Sequence, residues 1–417
     1  MKYVKLIKEN QTVRKLVSNF SYLSLIEIIN LLLPLVSYPY LIRVVGADKY
    51  GIVVFAQAII SYLIIIINFG FNVSATRRVS ENRNDNHKLN IIYSSVIYQK
   101  IILFFLCILI LLPLLLLINY EHLMIIFGLM GLCLQEVFYP TWLYQGLENM
   151  KFITIITFIS KCSYFLLIFI FIHNSADYVI VPYLYSISGI VTSILSLLIV
   201  KQKFNINFIY VSFSQIKKDF FESLPFFASR VSAVVMERTN VIAIGAFFSY
   251  EMVAIYDLCT KVVSIIKTPF SLVAQVIYPN VARNKNMNLI KKITMPLLLC
   301  GLLISFVVVI LSKYIVLILG GEKMTDSIII LQLMVWYVPI VGISYLYGAS
   351  VLVVMNHSKD YNMSVVYSVI LYLSMIGCLI LSNNINLFTM TFAYIVPELF
   401  VASYRVYITK KYKLLTK

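Results

Sequence analysis

The sequence predicts an all-α, polytopic membrane protein with about twelve transmembrane helices. Hydrophobic residues make up 61% of the chain and charged residues only 12%, whereas a soluble domain carries about 25% charged residues. Long apolar runs follow one another, most of them near or above the roughly 20 residues that span a bilayer as a helix. The basic residues gather in every second gap between these runs, which is typical of membrane proteins with a fixed orientation.

Twelve apolar runs account for most of the chain. A run such as 101–118 does not alternate polar and apolar residues, as a strand of a membrane barrel would. Helices also satisfy their own backbone hydrogen bonds in lipid. In chain order, the predicted helices lie within 19–42, 51–71, 91–118, 123–144, 153–172, 179–200, 220–248, 253–278, 293–319, 328–355, 364–381 and 387–407.

The loops predict the orientation of the helices. Of the 34 Lys and Arg residues, six are assigned to the membrane interior and four to the outer side, namely Arg43, Lys49, Lys313 and Lys323. The remaining 24 lie in the inner loops and at both ends of the chain. Because basic residues favour the cytoplasmic side, we expect both termini to be cytoplasmic. The same loops account for most of the net charge of +16, so nucleic acid is not an expected partner.

The connections predict two bundles of six helices. Outer loops such as 119–122 and 382–386 are too short to form a domain, and the longest inner connection, 201–219, separates the two sets of six. We therefore expect an N-terminal bundle at 1–205 and a C-terminal bundle at 206–417. Two repeated halves around a central site are common among transporters.

No recognisable catalytic or cofactor motif occurs in the sequence. It contains no GxxxxGK[ST] nucleotide loop and no HExxH zinc motif. The six cysteines all fall inside apolar runs without a CxxC pair, and the four histidines lie in or beside loops. We therefore expect no enzyme activity, no cofactor and no metal site.

Eleven of the charged residues within the apolar runs are candidates for charges buried in the membrane. A charge at the bilayer centre costs about 2.5–3.5 kcal/mol on insertion scales, so such residues normally face a bundle interior or a hydrated cavity. Lys100, Glu136 and Glu398 are near enough to helix ends to reach the membrane surface instead. For the deeper residues, structural ion pairing is the other interpretation. The eleven are Lys100, Lys161, Arg230, Arg238, Lys261, Lys267, Glu27, Glu136, Glu237, Asp257 and Glu398.

Several of these charges share a helix face with other polar residues. Arg230, Glu237 and Arg238 are separated by seven and eight residues, so they lie on one face. Asp257 and Lys261 are four residues apart and can pair directly. Comparable stripes in other runs are Gln57, Ser61, Asn68 and Asn72; Thr154, Thr157, Lys161 and Tyr164; and Glu27, Asn30 and Ser37. Polar stripes on several helices indicate a bundle around a hydrated cavity.

The residue types in these stripes favour an anionic, sugar-bearing cargo. Arginine binds phosphate oxygens through its bidentate fork, and amide and aromatic side chains suit sugar hydroxyls and ring faces. The predicted substrate-binding residues are Arg230, Arg238, Lys261, Lys267, Lys161, Asn30, Gln57, Asn68 and Asn72. Asp257, Glu237 and Glu27 are the candidate ion-coupling acids. Because Lys261 favours the charged form of Asp257, this pair is alternatively a structural lock.

Four segments resemble the polysaccharide flippases, the Wzx-type O-antigen transporters of the MOP superfamily. They are LLLPLVSYPYLIRVVGADKYGIVVFAQAI at 31–59, YQGLENMKFIT at 144–154, SLPFFASR at 223–230 and YPNVAR at 278–283. The resemblance implies two six-helix bundles in a V, a cationic central lumen and alternating access. It differs at Asp257, where the family pattern has a small residue.

The resemblance also implies a function. The expected cargo is an undecaprenyl-diphosphate-linked oligosaccharide, moved from the cytoplasmic to the periplasmic leaflet of the bacterial inner membrane. Membrane lipids, a polysaccharide polymerase and a chain-length regulator are the expected partners. Two alternatives stay open: a multidrug or small-solute antiporter on the same fold, and a membrane-embedded polymerase or transferase. The basic excess disfavours the first and the short outer loops disfavour the second.

Reporter fusions test the predicted orientation. Since the basic residues mark the inner loops, fusions after Asn84 and Asn288 should report the cytoplasm. Fusions after Asn119 and Asn384 should report the periplasm, measured with a paired phosphatase and fluorescent-protein reporter. A periplasmic signal at Asn84 would contradict the number of helices that precede it.

Overall fold

The computed structural model describes residues 11–285 and 287–415. Within these ranges the chain forms fifteen α-helices, two short 3-10 helices and one π-helix, and it contains no strand. The α-helices are α1 Gln11–Val45, α2 Ala47–Asn68, α3 Phe71–Glu81, α4 Asn86–Leu117, α5 Leu123–Phe138, α6 Thr141–Gly146, α7 Met150–Phe171, α8 Val181–Phe204, α9 Phe213–Phe247, α10 Tyr250–Asn284, α11 Met287–Leu319, α12 Ser327–Val335, α13 Val338–Tyr347, α14 Ser358–Leu381 and α15 Leu387–Lys411. The 3-10 helices are Ser175–Val179 and Glu322–Met324, and the π-helix is Gly348–Val353.

The prediction of an all-α polytopic membrane protein is confirmed. Eleven helical segments in the described ranges are long and apolar enough to cross a membrane. The predicted run outside this set lies in α9, which is 35 residues long but carries Arg230, Glu237 and Arg238 near its middle. Leucines on the outer faces, such as Leu109 at 74% exposure and Leu303 at 66%, are placed as side chains that contact lipid would be.

The helices extend beyond the apolar runs at several ends. Arg77 and Arg78, which the sequence assigns to a loop, belong to α3. Helix α15 likewise continues to Lys411, and Arg405, which the sequence counts with the basic end of the chain, lies inside this helix and is only 6% exposed. Helix formation needs only continued backbone hydrogen bonding, so a charged turn can prolong a helix where hydropathy has already fallen.

The chain forms two compact units. Unit 1 contains Met1–Val45 and Ile59–Arg230, and unit 2 contains Gly46–Ala58 and Val231–Lys417. Helices α2 and α9 therefore each contribute residues to both units. The sequence-based division into bundles at 1–205 and 206–417 stays a prediction.

Unit 1 is built on close helix packing and buried aromatic residues. Helices α5 and α8 make the most extensive of its contacts, and the Gly131 amide donates a hydrogen bond of 2.9 Å to Ser186 Oγ between them. A side chain at Gly131 would overlap the Cβ of Ser186, so glycine permits this approach. Trp142 and Tyr144 are fully buried in the core of the unit, where Tyr144 hydroxyl and Ser196 Oγ are 2.8 Å apart.

The boundary between α2 and α3 shapes another part of unit 1. Phe69 and Gly70 both have positive φ, at 45° and 77°. This turn stacks the Phe69 ring on Phe220 and Phe227, with ring centroids 4.2 and 4.5 Å apart. A Cβ at Gly70 would lie 2.7 Å from the Phe227 amide nitrogen. Glycine is therefore required here both for its backbone angle and for its small size.

Unit 2 packs α10 against α12 and α13, with α13 against α15. Arg405 of α15 is buried and bonded only to neutral groups that the structure describes. Its guanidinium donates to the carbonyl and the hydroxyl of Ser344 at 3.0 Å each and to Ser364 Oγ at 3.1 Å. The Tyr361 ring lies 4.5 Å from the guanidinium carbon. These contacts join α13, α14 and α15 beside the π-helix.

Replacing Gly70 with alanine should destabilise the protein. A left-handed backbone costs an L-residue roughly 1–2 kcal/mol, and the new methyl group would overlap the Phe227 backbone. We expect Gly70→Ala to lower the thermal unfolding midpoint of the purified protein. Gly377→Ala is the control, since no atom lies within 4 Å of the place that its added methyl group would occupy, and its midpoint should not fall. Equal midpoints for the two variants would contradict this account of the turn.

Candidate functional site

A cavity of about 320 Å³ lies within unit 2. Half of its lining comes from α10, with side chains from α2, α9 and α15 and from Tyr337 between α12 and α13. Six of the twelve residues that the sequence predicts for the site meet there: Gln57, Glu237, Arg238, Asp257, Lys261 and Lys267. The structure thus brings together charged residues from two successive long helices and an amide from a third.

The polar face of α10 contains an ion pair between Lys261 and Asp257, one helical turn apart. Tyr50 bridges the two charges. Its hydroxyl lies 3.5 Å from Asp257 Oδ2, to which it donates, and accepts from Lys261 Nζ at 3.3 Å. Tyr50 is 4% exposed and Asp257 is 7% exposed. The Asp257 carboxylate is therefore largely enclosed, and both Lys261 and Tyr50 contact its Oδ2 atom.

Lys267 lies two turns further along α10 in a different environment. Its Nζ is 5.1 Å from the ring centroid of Tyr337 and 5.9 Å from that of Tyr394. The two rings meet edge to face at 6.0 Å. Aromatic faces attract a cation without neutralising it. Lys267 therefore contacts two aromatic rings at the cavity wall rather than a carboxylate among the described residues.

Arg238 and Glu237 are the charged residues that α9 presents to the cavity. Arg238 is half-buried and Glu237 is exposed, and neither forms an ion pair within the described ranges. The lining as a whole has three basic and two acidic side chains, so it carries one excess positive charge. Because Asp257 is paired with Lys261, that excess is concentrated near Arg238 and Lys267, with Glu237 as the remaining acid.

A buried asparagine holds α9 in this orientation. Asn240 is fully buried, and its amide donates to Tyr256 hydroxyl at 2.9 Å and to the Met390 carbonyl at 3.0 Å. Tyr372 donates to Asn240 Oδ1 at 2.7 Å. Four helices, α9, α10, α14 and α15, therefore meet at one side chain. Sequence reasoning missed Asn240, although an amide inside an apolar run is itself a signal, since it needs partners in lipid.

The three tyrosines of this region were also missed. Tyr50, Tyr337 and Tyr394 come from runs far apart in the chain. Nothing in their local spacing indicates that they meet the charges of α10. Only the tertiary structure brings them to Lys261 and Lys267.

The other predicted site residues belong to unit 1 and do not line this cavity. Asn68 donates to Glu136 Oε1 at 2.7 Å, and the same oxygen accepts from the fully buried Lys100 at 2.7 Å. Lys100 therefore does not reach the membrane surface, because Glu136 supplies its partner inside the unit. Asn72 Oδ1 accepts from Thr141 at 3.4 Å.

The remaining four are spread over three helices of unit 1. Glu27 and Asn30 are exposed on α1, and Lys161 is half-buried on the neighbouring α7. Arg230 is exposed where the α9 segment of unit 1 ends. The structure brings none of these four into the unit 2 cavity.

Proteins of known family resemble this chain over most of its length. The family model described as "Polysaccharide biosynthesis protein" matches residues 16–285. Two proteins that carry the name "Putative O-antigen transporter" are similar in sequence. The one from Escherichia coli (strain K12) is 28% identical over 82% of this chain and 85% of its own length. The one from Shigella dysenteriae is 26% identical over 64% of this chain and 67% of its own length.

Solved transporter structures share the fold. An inward-facing multidrug resistance MATE family transporter of the MOP superfamily superimposes with a TM-score of 0.76 at 13% identity, covering 95% of this chain and 99% of the other. The lipid II flippase MurJ in an inward closed conformation gives a TM-score of 0.74 at 12% identity, covering 94% and 87%. The chain therefore has the MOP-superfamily transporter fold, and it belongs to the polysaccharide biosynthesis protein family.

Proposed function

We propose that this protein is a flippase for an undecaprenyl-diphosphate-linked oligosaccharide, such as an O-antigen repeat unit. It moves the cargo from the cytoplasmic to the periplasmic leaflet of the inner membrane by alternating access. The observation that carries the proposal is the unit 2 cavity, where Arg238 and Lys267 line the wall without a carboxylate partner among the described residues. The family, the relatives named as O-antigen transporters and the fold shared with a lipid II flippase support the same cargo class.

The contacts in the cavity divide the predicted cations into two kinds. Lys261 is paired with Asp257 and hydrogen-bonded to Tyr50, so its charge stabilises the protein itself. Arg238 and Lys267 have no carboxylate partner within the described ranges and therefore suit a diphosphate. Arginine offers two parallel donors to phosphate oxygens, while the lysine adds a point charge.

Sugar residues would use the neutral groups of the same wall. Tyr337 and Tyr394 offer ring faces, and the hydroxyls of Thr260 and Ser264, which donate to backbone carbonyls, offer acceptors. Burying a hydroxyl without a partner costs about 1–3 kcal/mol, which opposes passage of an oligosaccharide through hydrocarbon. A polar route through the protein removes this cost while the polyprenyl chain stays in lipid.

The unit 1 candidates extend the proposal. Asn30 and Lys161, on the adjacent helices α1 and α7, remain candidate cargo ligands, and Glu27 on α1 remains a candidate coupling acid. Arg230, Asn68 and Asn72 remain candidates on sequence grounds. The cytoplasmic termini, a polymerase and a chain-length regulator as partners likewise remain predictions.

A multidrug antiporter is the second candidate function. It is favoured by the exposed carboxylate of Glu237 in the cavity, which would attract a cationic drug, and by the MATE-like fold. The excess positive charge of the lining opposes it. Drug susceptibility of a deletion strain separates the two functions. Loss of a multidrug antiporter should increase sensitivity to cationic drugs, whereas loss of a flippase should remove surface glycan.

Substitution of the two available cations tests the cargo assignment. Arg238→Ala and Lys267→Ala should each abolish surface glycan at normal protein levels, because each removes a phosphate ligand. Arg238→Lys should keep part of the activity, since its charge survives without the bidentate fork. Surface glycan is measured by gel electrophoresis of cell-envelope extracts, alongside immunoblots of the transporter.

Arg283→Ala is the matched control. Arg283 is an exposed residue near the end of α10 that does not line the cavity, so surface glycan should be normal. Arg230→Ala tests the corresponding sequence-based assignment outside the cavity. Normal glycan in the Arg238→Ala/Lys267→Ala double variant would rule out this cavity as the diphosphate site.

The energy source is tested at two acids. The sequence contains no nucleotide-binding loop, so an ion gradient or consumption of the product must drive transport. Asp257 is held by Lys261 and Tyr50, which favours a structural role, whereas Glu237 faces the cavity without an ion pair among the described residues. In vesicles with and without a pH gradient, Glu237→Gln should lose the gradient dependence of flipping. Asp257→Asn should keep the gradient dependence of flipping and should unfold at a lower temperature. Loss of the gradient dependence in Asp257→Asn, with retention in Glu237→Gln, would make Asp257 the coupling acid.

A further inference from the structure

A second and larger cavity, of about 460 Å³, lies within unit 1. One wall is α3 and the other is the first part of α9. Its lining includes Ser74, Arg77, Arg78 and Lys218 together with the acids Glu81, Asp219 and Glu222. The proposed flippase site does not use these residues. The sequence analysis assigns the basic ones, Arg77, Arg78 and Lys218, to inner loops.

Asp219 is the fixed centre of this cavity. It is 1% exposed and accepts from Ser95 Oγ at 2.5 Å and from Gln215 Nε2 at 2.8 Å. Arg78 forms an ion pair with the same carboxylate. Three donors from α3, α4 and α9 therefore occupy Asp219, which leaves it little capacity to bind a further cation.

Arg78, in contrast to Asp219, has fewer hydrogen-bond partners than it can bind. Its side chain is only 14% exposed, and its contact with Asp219 is made through Nη1. Its Nε, Nη1 and Nη2 atoms are all buried and form no hydrogen bond among the described residues, although Nη1 makes the ion-pair contact with Asp219. Leaving donors of a buried charged group unused is costly, by about 1–3 kcal/mol or more. The guanidinium thus has unused donors at the wall of a cavity that could hold an acceptor.

The rim of the cavity adds another available cation. Arg77 is paired with Glu81 at 2.8 Å, so these two charges largely neutralise each other. Lys218 is exposed and forms no ion pair within the described ranges. With Asp219 and Glu81 occupied, the groups left to meet a ligand are Arg78, Lys218 and one acid, Glu222.

Apolar side chains lie directly beside these charges. Phe226 lines the cavity and is 37% exposed, and Phe221 and Leu224 on the same helix are 57% and 41% exposed. Lys218, Glu222 and Phe226 follow at intervals of four residues, so the charged end of the stripe leads into its aromatic end. A ligand with an anionic head and a hydrocarbon chain matches this arrangement better than a free anion does.

We infer that the unit 1 cavity binds the phosphate group of a membrane lipid. Arg78 donates Nε–H and Nη2–H to phosphate oxygens, Lys218 adds its ammonium group, and the lipid chain lies along Phe226. Both the lipid-diphosphate cargo and an anionic phospholipid carry this chemistry. The site does not depend on the proposed flippase activity, because no residue of the unit 2 cavity takes part.

Lipid binding to the full-length purified protein tests the inference. Native mass spectrometry is used to titrate undecaprenyl diphosphate, phosphatidylglycerol and inorganic pyrophosphate against each variant. Lys218→Ala should weaken binding of lipid phosphates roughly tenfold, as for loss of one charge-assisted hydrogen bond. Lys217→Ala is the matched control: Lys217 is an exposed lysine on the same turn that does not line the cavity, and its binding should be unchanged.

Asp219→Asn separates a ligand site from a purely structural ion pair. It keeps hydrogen-bonding groups for its neighbours but removes the charge that competes for Arg78, so lipid-phosphate affinity should rise severalfold. Loss confined to undecaprenyl diphosphate in Lys218→Ala would assign the site to the cargo, and equal loss with phosphatidylglycerol would assign it to phospholipid in general.

Two results would overturn the inference: equal binding by Lys218→Ala and Lys217→Ala, or pyrophosphate binding as tightly as the lipids. The Arg238→Ala/Lys267→Ala variant should retain the Lys218-dependent binding whether or not it supports surface glycan. Failure of the flippase proposal is therefore distinguishable from failure of this one.

Discussion

The cost of placing an unpartnered polar group in hydrocarbon governs this structure. Two deeply buried charges that lie away from the cavities, Lys100 and Arg405, have acquired partners on other helices. Lys100 meets Glu136 and its backbone carbonyl, and Arg405 meets Ser344, Ser364 and an aromatic ring. Because such contacts connect separate elements, the polar groups also determine how the helices pack, which apolar contacts in lipid do poorly.

The exceptions to this rule are the informative positions. Arg238 and Lys267 remain without a carboxylate beside the unit 2 cavity, and the inner nitrogens of Arg78 remain without an acceptor beside the unit 1 cavity, as far as the described residues extend. Elsewhere in the same fold, the buried side chain of Asn240 makes three hydrogen bonds. The two proposed ligand sites rest on this unused hydrogen-bonding capacity next to open space.

Local rules predict what depends on neighbours in sequence. Length and hydropathy predict the helices, and a spacing of four residues predicts the pair of Asp257 with Lys261. The polar faces of α9 and α10 supply most of the charged residues that line the unit 2 cavity. Tyr50 and Asn240 cannot be predicted in their roles, since each acts through residues more than a hundred positions away. The sequence assigns Arg405 to the basic end of the chain, whereas the structure buries it in α15. Hydropathy alone does not reveal the polar groups inside a bundle that bind such a residue.

The pairing of Asp257 with Lys261 within one helix also bears on how the chain enters the membrane. Two opposite charges one turn apart can neutralise each other before any neighbouring helix has arrived, so α10 can partition into the bilayer with its counter-ion already in place. Helix α9 carries Glu237 and Arg238 without an ion pair between them among the described residues, and its Asn240 is bonded by α10, α14 and α15. Stable insertion of α9 therefore depends on helices that the ribosome synthesises after it, and its residence at the translocon should be prolonged until they follow.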